Sequence, residues 1–213
     1  MHIPHANTLA VTVFANLLPL AGVLLLGWDI YVLLIFYWCE TAIIGFWTVI
    51  TVALHRGEVT WSFDGPTKRE GQVPWAIAIF LAFHAGFFMA VHLFLLSALY
   101  GNAWPGSLRS PLTFVDTFVI GQRLWPMLAL VFVHQAMVFV EVRQAHSVVP
   151  SIVGLYMRIV VMQVVLIIGA WGVMLTGSGL FGLCLLVAGR AALDLFWPQV
   201  LKSVMSAMEA NRK

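Results

Sequence analysis

Charge is what this chain has least of. Of its 213 residues, 11 are Lys or Arg and 9 are Asp or Glu, 9% in all, where soluble domains carry about 25%. So few charges cannot solvate the surface of a compact chain of this size, which excludes a soluble globular enzyme. The basic residues are scattered and the net charge is only +2, so there is no basic patch to serve nucleic acid. Cysteine is as scarce: Cys39 and Cys184 both lie in apolar runs. That excludes a disulfide framework and zinc-type cysteine spacing. No Gly-rich phosphate loop, nucleophile elbow or Ser/His/Asp arrangement is discernible. Repeats and low-complexity segments are absent too, and residues 1–213 read as a single transmembrane domain.

What fills the chain instead is apolar sequence, 62% of it. Runs long enough to cross a hydrocarbon core, about 20 residues each, are expected at Thr8–Leu26, Ile30–Leu54, Trp75–Leu99, Leu124–Val140, Ser151–Leu175 and Leu180–Trp197. The expected fold is therefore an all-α membrane protein, a six-span helical bundle. The first run has no Lys or Arg before it and no small-x-small site after it, so it reads as a retained span. Arg56, Lys68, Arg69, Arg143, Lys202, Arg212 and Lys213 fall on one side of this layout and only Arg109 and Arg123 on the other. By the positive-inside rule both termini are expected in the cytoplasm of a bacterial cell, with the chain in the inner membrane. Ser110-Pro111 is a strong helix start. With Leu112, Val115, Phe118 and Val119 on one face, it predicts a short interfacial helix. After Pro198, the spacing of Val200, Leu201, Val204, Met205 and Met208 predicts an amphipathic strip along the inner leaflet.

An ionisable side chain in mid-membrane costs about 2.5–3.5 kcal/mol on insertion scales, so each asks for a reason. Glu40, His84, His134, Arg190 and Asp194 fall near the centres of their runs, with His92 nearer the outer face. Turning about 100° per residue from Glu40, the residues Tyr37, Thr41, Thr48, Thr51 and His55 gather on its side. This polar stripe must face protein or a wet cavity. In the third run Ala78, Ala82, Gly86 and Ala90 recur every four residues. They predict a small-residue seam on a central helix, which Gly86→Leu would part.

Glu40, His84, His92 and His134 are the candidate metal ligands, since imidazole and carboxylate suit zinc or non-haem iron. Haem b with two axial histidines is a less favoured alternative; His84 and His92 sit about 12 Å apart along one helix and cannot share an iron. Arg190 and Asp194, i,i+4 neighbours able to pair, are the candidate cofactor contacts. The expected function is binding of a divalent metal or redox cofactor, with a lipid-soluble small molecule, membrane lipids or a larger membrane complex as partners. The competing reading is a non-enzymatic accessory or structural bundle whose polar groups pair internally. A proton relay or quinone pocket is a variant without metal.

Several strings resemble a bacterial multi-pass membrane family catalogued as a domain of unknown function. They are Asn16-Leu17-Leu18-Pro19 through Gly27-Trp28-Asp29, the signature Tyr37-Trp38-Cys39-Glu40, His84-Ala85-Gly86-Phe87-Phe88 through His92, Arg158-Ile159-Val160-Val161, and Asp194-Leu195. In that family's pattern a histidine is common where this chain has Gln163, and another near Trp197 or Pro198. The resemblance therefore implies that two candidate ligands are missing here. It implies no activity.

Overall fold

The computed structural model describes residues 22, 27–56, 73–101, 106, 108–142 and 147–176. The described residues form helices and the turns that flank them, with no strand among them. The elements are α1 (Ile30–Ala53), α2 (Pro74–Tyr100), α3 (Pro111–Phe114) running into a π-helical segment (Val115–Gly121), α4 (Trp125–Val142) and α5 (Val149–Thr176). Four of them, α1, α2, α4 and α5, are long and apolar enough to cross a membrane. They match four of the six expected runs to within a few residues. The run Thr8–Leu26 apart from Gly22, the run Leu180–Trp197, the strip after Pro198, and Arg190 and Asp194 lie outside the described residues.

Local chemistry accounts for the helix starts. Gly27 has φ +67°, a left-handed turn that glycine adopts without strain. That turn brings Asp29 to the N-cap of α1, where its Oδ1 accepts from the Val32 amide at 2.8 Å. Trp28 is buried against Gly22, which has no room for a Cβ, and its Nε1 donates to the Gln122 carbonyl at 3.0 Å. The α2 helix begins on Pro74, where a missing N–H is no loss. As the sequence predicts, Ser110 caps α3, its Oγ accepting from the Thr113 amide at 3.1 Å.

The bundle is organised around α1, which packs against α2, α4 and α5. Of its span, 56% is buried, against 28% for α2 and none for α4. The expectation that the third run is the central helix is thus corrected. Its aromatic residues face outward, with Phe83 78%, Phe94 70% and Phe87 67% exposed.

The small-residue seam is corrected with it. Ala78 is buried, but Ala82, Gly86 and Ala90 are exposed, and a Cβ at Gly86 would meet nothing within 4 Å. The buried face is Ala78, Leu81, Ala85, Met89, His92 and Leu96. A strict i+4 series precesses by about 40° at every step, whereas alternating steps of three and four stay on one face.

The short helix after Ser110 exists, but its inward face differs from the expected one. Phe118 is fully buried while Leu112 is 77% exposed. Over Val115–Gly121 the chain takes π-helical bonds, such as Gln122 N to Thr117 O at 3.2 Å. That wider winding shifts side chains away from the 3.6-residue spacing. Phe118 meets Tyr31 edge-on at 5.5 Å and Phe114 meets Trp38 at 6.0 Å, so the segment closes one end of the bundle.

Candidate functional site

The polar stripe of α1 is buried, as its composition requires. Tyr37, Glu40, Thr41, Thr48 and Thr51 are all inside, and His55 at the end of the helix is half-buried. The threonine hydroxyls are satisfied within their own helix. Thr41 donates to the Tyr37 carbonyl at 2.9 Å, Thr48 to Ile44 at 2.8 Å and Thr51 to Trp47 at 2.7 Å. Such i−4 bonds let hydroxyls sit in apolar surroundings without an outside donor, and they leave each oxygen's acceptor capacity open.

The four candidate metal ligands occupy different environments. Glu40 is buried on α1 and His92 is buried on α2, 1% exposed. His84, by contrast, is exposed on α2, and His134 is exposed on α4. Among the described residues, no three of His, Cys, Asp and Glu are grouped so as to hold a metal ion.

His84 has a protein partner instead: its Nδ1 lies 2.7 Å from the Tyr156 hydroxyl of α5. Its ring stacks on Phe80 at 5.1 Å and takes Phe88 edge-on at 5.1 Å. Tyr156 was not among the sequence candidates. A single tyrosine among apolar residues carries no pattern, and only the packing of α5 on α2 reveals the pair.

His92 is arranged differently. Its Nδ1 is 2.6 Å from the Phe88 carbonyl. A carbonyl only accepts, so Nδ1 donates, and in the neutral ring Nε2 is then a bare acceptor. That atom is buried with no hydrogen-bond partner, as is the hydroxyl of Tyr31.

The signature Tyr37-Trp38-Cys39-Glu40 does structural work on its Trp38. The indole Nε1 donates to the Met89 carbonyl at 2.7 Å, tying α1 to α2 where both are buried.

The largest departure from the sequence reading is a cavity of about 250 Å³ between the end of α1, the end of α4 and the start of α5. Its polar wall is Thr48, Thr51, Gln135, Ser151 and Arg158, with Trp47 beside them. Ile44, Val138, Phe139 and Leu155 supply the apolar part. Trp47 is held by aromatic contacts with Phe132 at 5.2 Å and Phe139 at 5.3 Å. Its Nε1 is buried without a partner.

In the sequence Arg158 stands out only within the string Arg158-Ile159-Val160-Val161, and Gln135 not at all. The signal for Gln135 was its position next to His134, which turns it about 100° away, toward the bundle.

A family model described as a family of unknown function, DUF6498, matches residues 4–213. No curated protein and no solved structure matches the chain.

Proposed function

Since the chain belongs to DUF6498, a family of unknown function, we propose its role from geometry and chemistry alone. It is a multi-pass protein of the bacterial cytoplasmic membrane that holds a small amphipathic molecule in the cavity between α1, α4 and α5. The loop charges Arg56, Lys68, Arg69 and Arg143 orient that end of the bundle toward the cytoplasm. The observation that carries the reading is the cavity itself, where part of α1's buried polar stripe meets an arginine, an amide and a hydroxyl across an apolar wall. A concave, mostly apolar site with a few converging polar groups is the usual form of a small-molecule site.

The test is native mass spectrometry of the full-length protein purified in mild detergent. Bound amphiphile is expected on the wild type and on Phe83→Leu, which alters an exposed face. It should be lost from Ser151→Phe, whose ring fills the cavity. Amphiphile retained by Ser151→Phe contradicts the reading.

A second reading, binding of a metal or redox cofactor such as iron, zinc or haem b, is favoured by one observation, the buried and unpartnered Nε2 of His92. A histidine whose Nδ1 donates to a backbone carbonyl is oriented as metal-binding histidines commonly are. Metal analysis and the visible spectrum of the purified protein decide it. A stoichiometric metal or a Soret band that disappears in His92→Leu supports the cofactor, and a metal-free, colourless protein opposes it.

A further inference from the structure

His84 stands outside the cavity and has a setting of its own. It lies three residues before Phe87, the midpoint of α2, so it sits within about 5 Å of mid-span along the helix axis. The side chain is exposed at that depth, where an ionisable group is expensive and hydrocarbon offers no hydrogen-bond partner. One ring nitrogen is engaged, Nδ1, at 2.7 Å from the Tyr156 hydroxyl. Among the described residues no partner meets Nε2.

The pair works in two directions. With the Tyr156 hydroxyl donating to Nδ1, the neutral ring carries its proton on Nε2, which is then a donor. With Nδ1 donating to the hydroxyl oxygen, Nε2 becomes an acceptor and the tyrosine proton is released for a second bond. The two arrangements differ only in where the protons sit. A partner that accepts and a partner that donates are therefore both met without moving a heavy atom.

The rings around the pair set the shape of that partner. Phe80 lies nearly parallel to His84, at 16° and 5.1 Å between centroids, and Phe88 meets it edge-on at 5.1 Å. Both phenylalanines are exposed, so this aromatic wall is open on its outer side. A flat ring can extend such a wall by offset stacking or edge contact.

Depth removes the commonest membrane ligands. Phospholipid headgroups lie near the ends of spanning helices, about 15 Å from the middle of the hydrocarbon, well away from His84. A molecule that reaches His84 dissolves in hydrocarbon and brings its own polar atoms. A prenyl alcohol brings a hydroxyl but no flat ring. A lipid-soluble quinone brings a ring whose oxygens accept when oxidised and donate when reduced, matching the two arrangements of the pair.

From these observations we infer that His84 and Tyr156 form a binding site for the ring of a lipid-soluble quinone, entered from the hydrocarbon side of α2. The site shares no residue with the lining of the cavity between α1, α4 and α5, and does not rest on it.

The test is native mass spectrometry of the full-length protein in mild detergent with a short-chain ubiquinone of two isoprene units. Its reduced form, kept anaerobic, and geraniol, the alcohol of the same chain, are titrated beside it. The variants are His84→Phe, Tyr156→Phe and Phe80→Leu; His84 and Phe80 are exposed and Tyr156 is half-buried, so none opens the core. A neutral hydrogen bond corresponds to roughly a two- to tenfold change in affinity. The wild type is expected to bind quinone and quinol saturably, within about threefold of each other and about fivefold or more tighter than geraniol. His84→Phe, which keeps a ring and removes both nitrogens, should weaken both forms about tenfold, and Tyr156→Phe about threefold. Phe80→Leu should narrow the preference over geraniol and leave the quinone-to-quinol ratio unchanged.

Quinone binding that never saturates, or that His84→Phe leaves unchanged, overturns the site. Geraniol bound as tightly as the quinone, and lost in His84→Phe, overturns the quinone assignment in favour of a hydroxyl-bearing lipid. If His84→Phe fails to fold, unchanged binding in both Tyr156→Phe and Phe80→Leu overturns the site instead. Quinone lost in the cavity-filled Ser151→Phe but kept in His84→Phe moves the ligand to the cavity and overturns the inference.

Discussion

The α1 and α2 helices are close relatives in composition, 24 and 27 residues of mostly apolar sequence, and the bundle uses them in opposite ways. The first is 56% buried over its span and touches three other helices, whereas the second is 28% buried and turns its phenylalanines outward. Hydrophobicity cannot tell them apart, because lipid tails and protein interior are equally apolar. What separates them is where the polar groups lie. On α1, Tyr37, Glu40, Thr41, Thr48 and Thr51 share one side and are all inside. On α2 the one fully enclosed polar side chain, His92, lies on the packed face, while His84 meets Tyr156 at the edge of the bundle. In this chain polar groups mark the protein-facing side better than small residues do.

The largest expected effect sharpens that contrast within α2 itself, at two adjacent residues. Ala85 is buried on the face that packs, and Gly86 beside it opens onto empty space. Ala85→Leu should destabilise by about 1–3 kcal/mol through overpacking. Gly86→Leu should be neutral or stabilising, since replacing a mid-helix glycine removes a penalty of about 0.5–1 kcal/mol. Unfolding of both variants in graded denaturing detergent measures the difference. A Gly86→Leu protein weaker than Ala85→Leu would restore the seam expected from the sequence.

The smallest effect is expected on α1. Thr48 satisfies its own hydroxyl at 2.8 Å from the Ile44 carbonyl, so Thr48→Val should change stability by less than about 0.5 kcal/mol in the same assay. A loss above about 1.5 kcal/mol would mean that the hydroxyl serves a partner beyond its helix.

The sequence made four helices legible to within a few residues, because long apolar runs between charged or turn-forming segments have no other stable form in a bilayer. The cap on Ser110 and the burial of the Glu40 stripe were legible for similar reasons, one local and one set by the expense of exposing polar groups to lipid. The partner of each face was not. The i+4 alanines looked like a seam on composition, but a contact face depends on the turn-by-turn phase shared with a neighbour, and one chain does not state which neighbour that is. Phe118 was placed on an apolar face by a 3.6-residue spacing that the π-helical bonds then altered. The candidate ligands illustrate the same limit. Glu40, His84 and His134 share depth in the sequence, with His92 about two turns outward, but depth is one coordinate of three. Rotation about each axis leaves His84 and His134 exposed and His92 enclosed. The cavity drew on residues from three helices, Thr48, Gln135 and Arg158 among them, whose association no spacing encodes.

The polar side of α1 opens onto a cavity at one end of the bundle. Thiol accessibility tests it most directly. In a background of Cys39→Ser and Cys184→Ser, single cysteines are placed at Thr51, on the cavity wall, and at Leu34, in the packed core. Both are exposed to a small water-soluble thiosulfonate reagent in inverted membrane vesicles. Thr51→Cys is expected to react and Leu34→Cys is not. Equal protection of the two, or labelling at Leu34 alone, would contradict it.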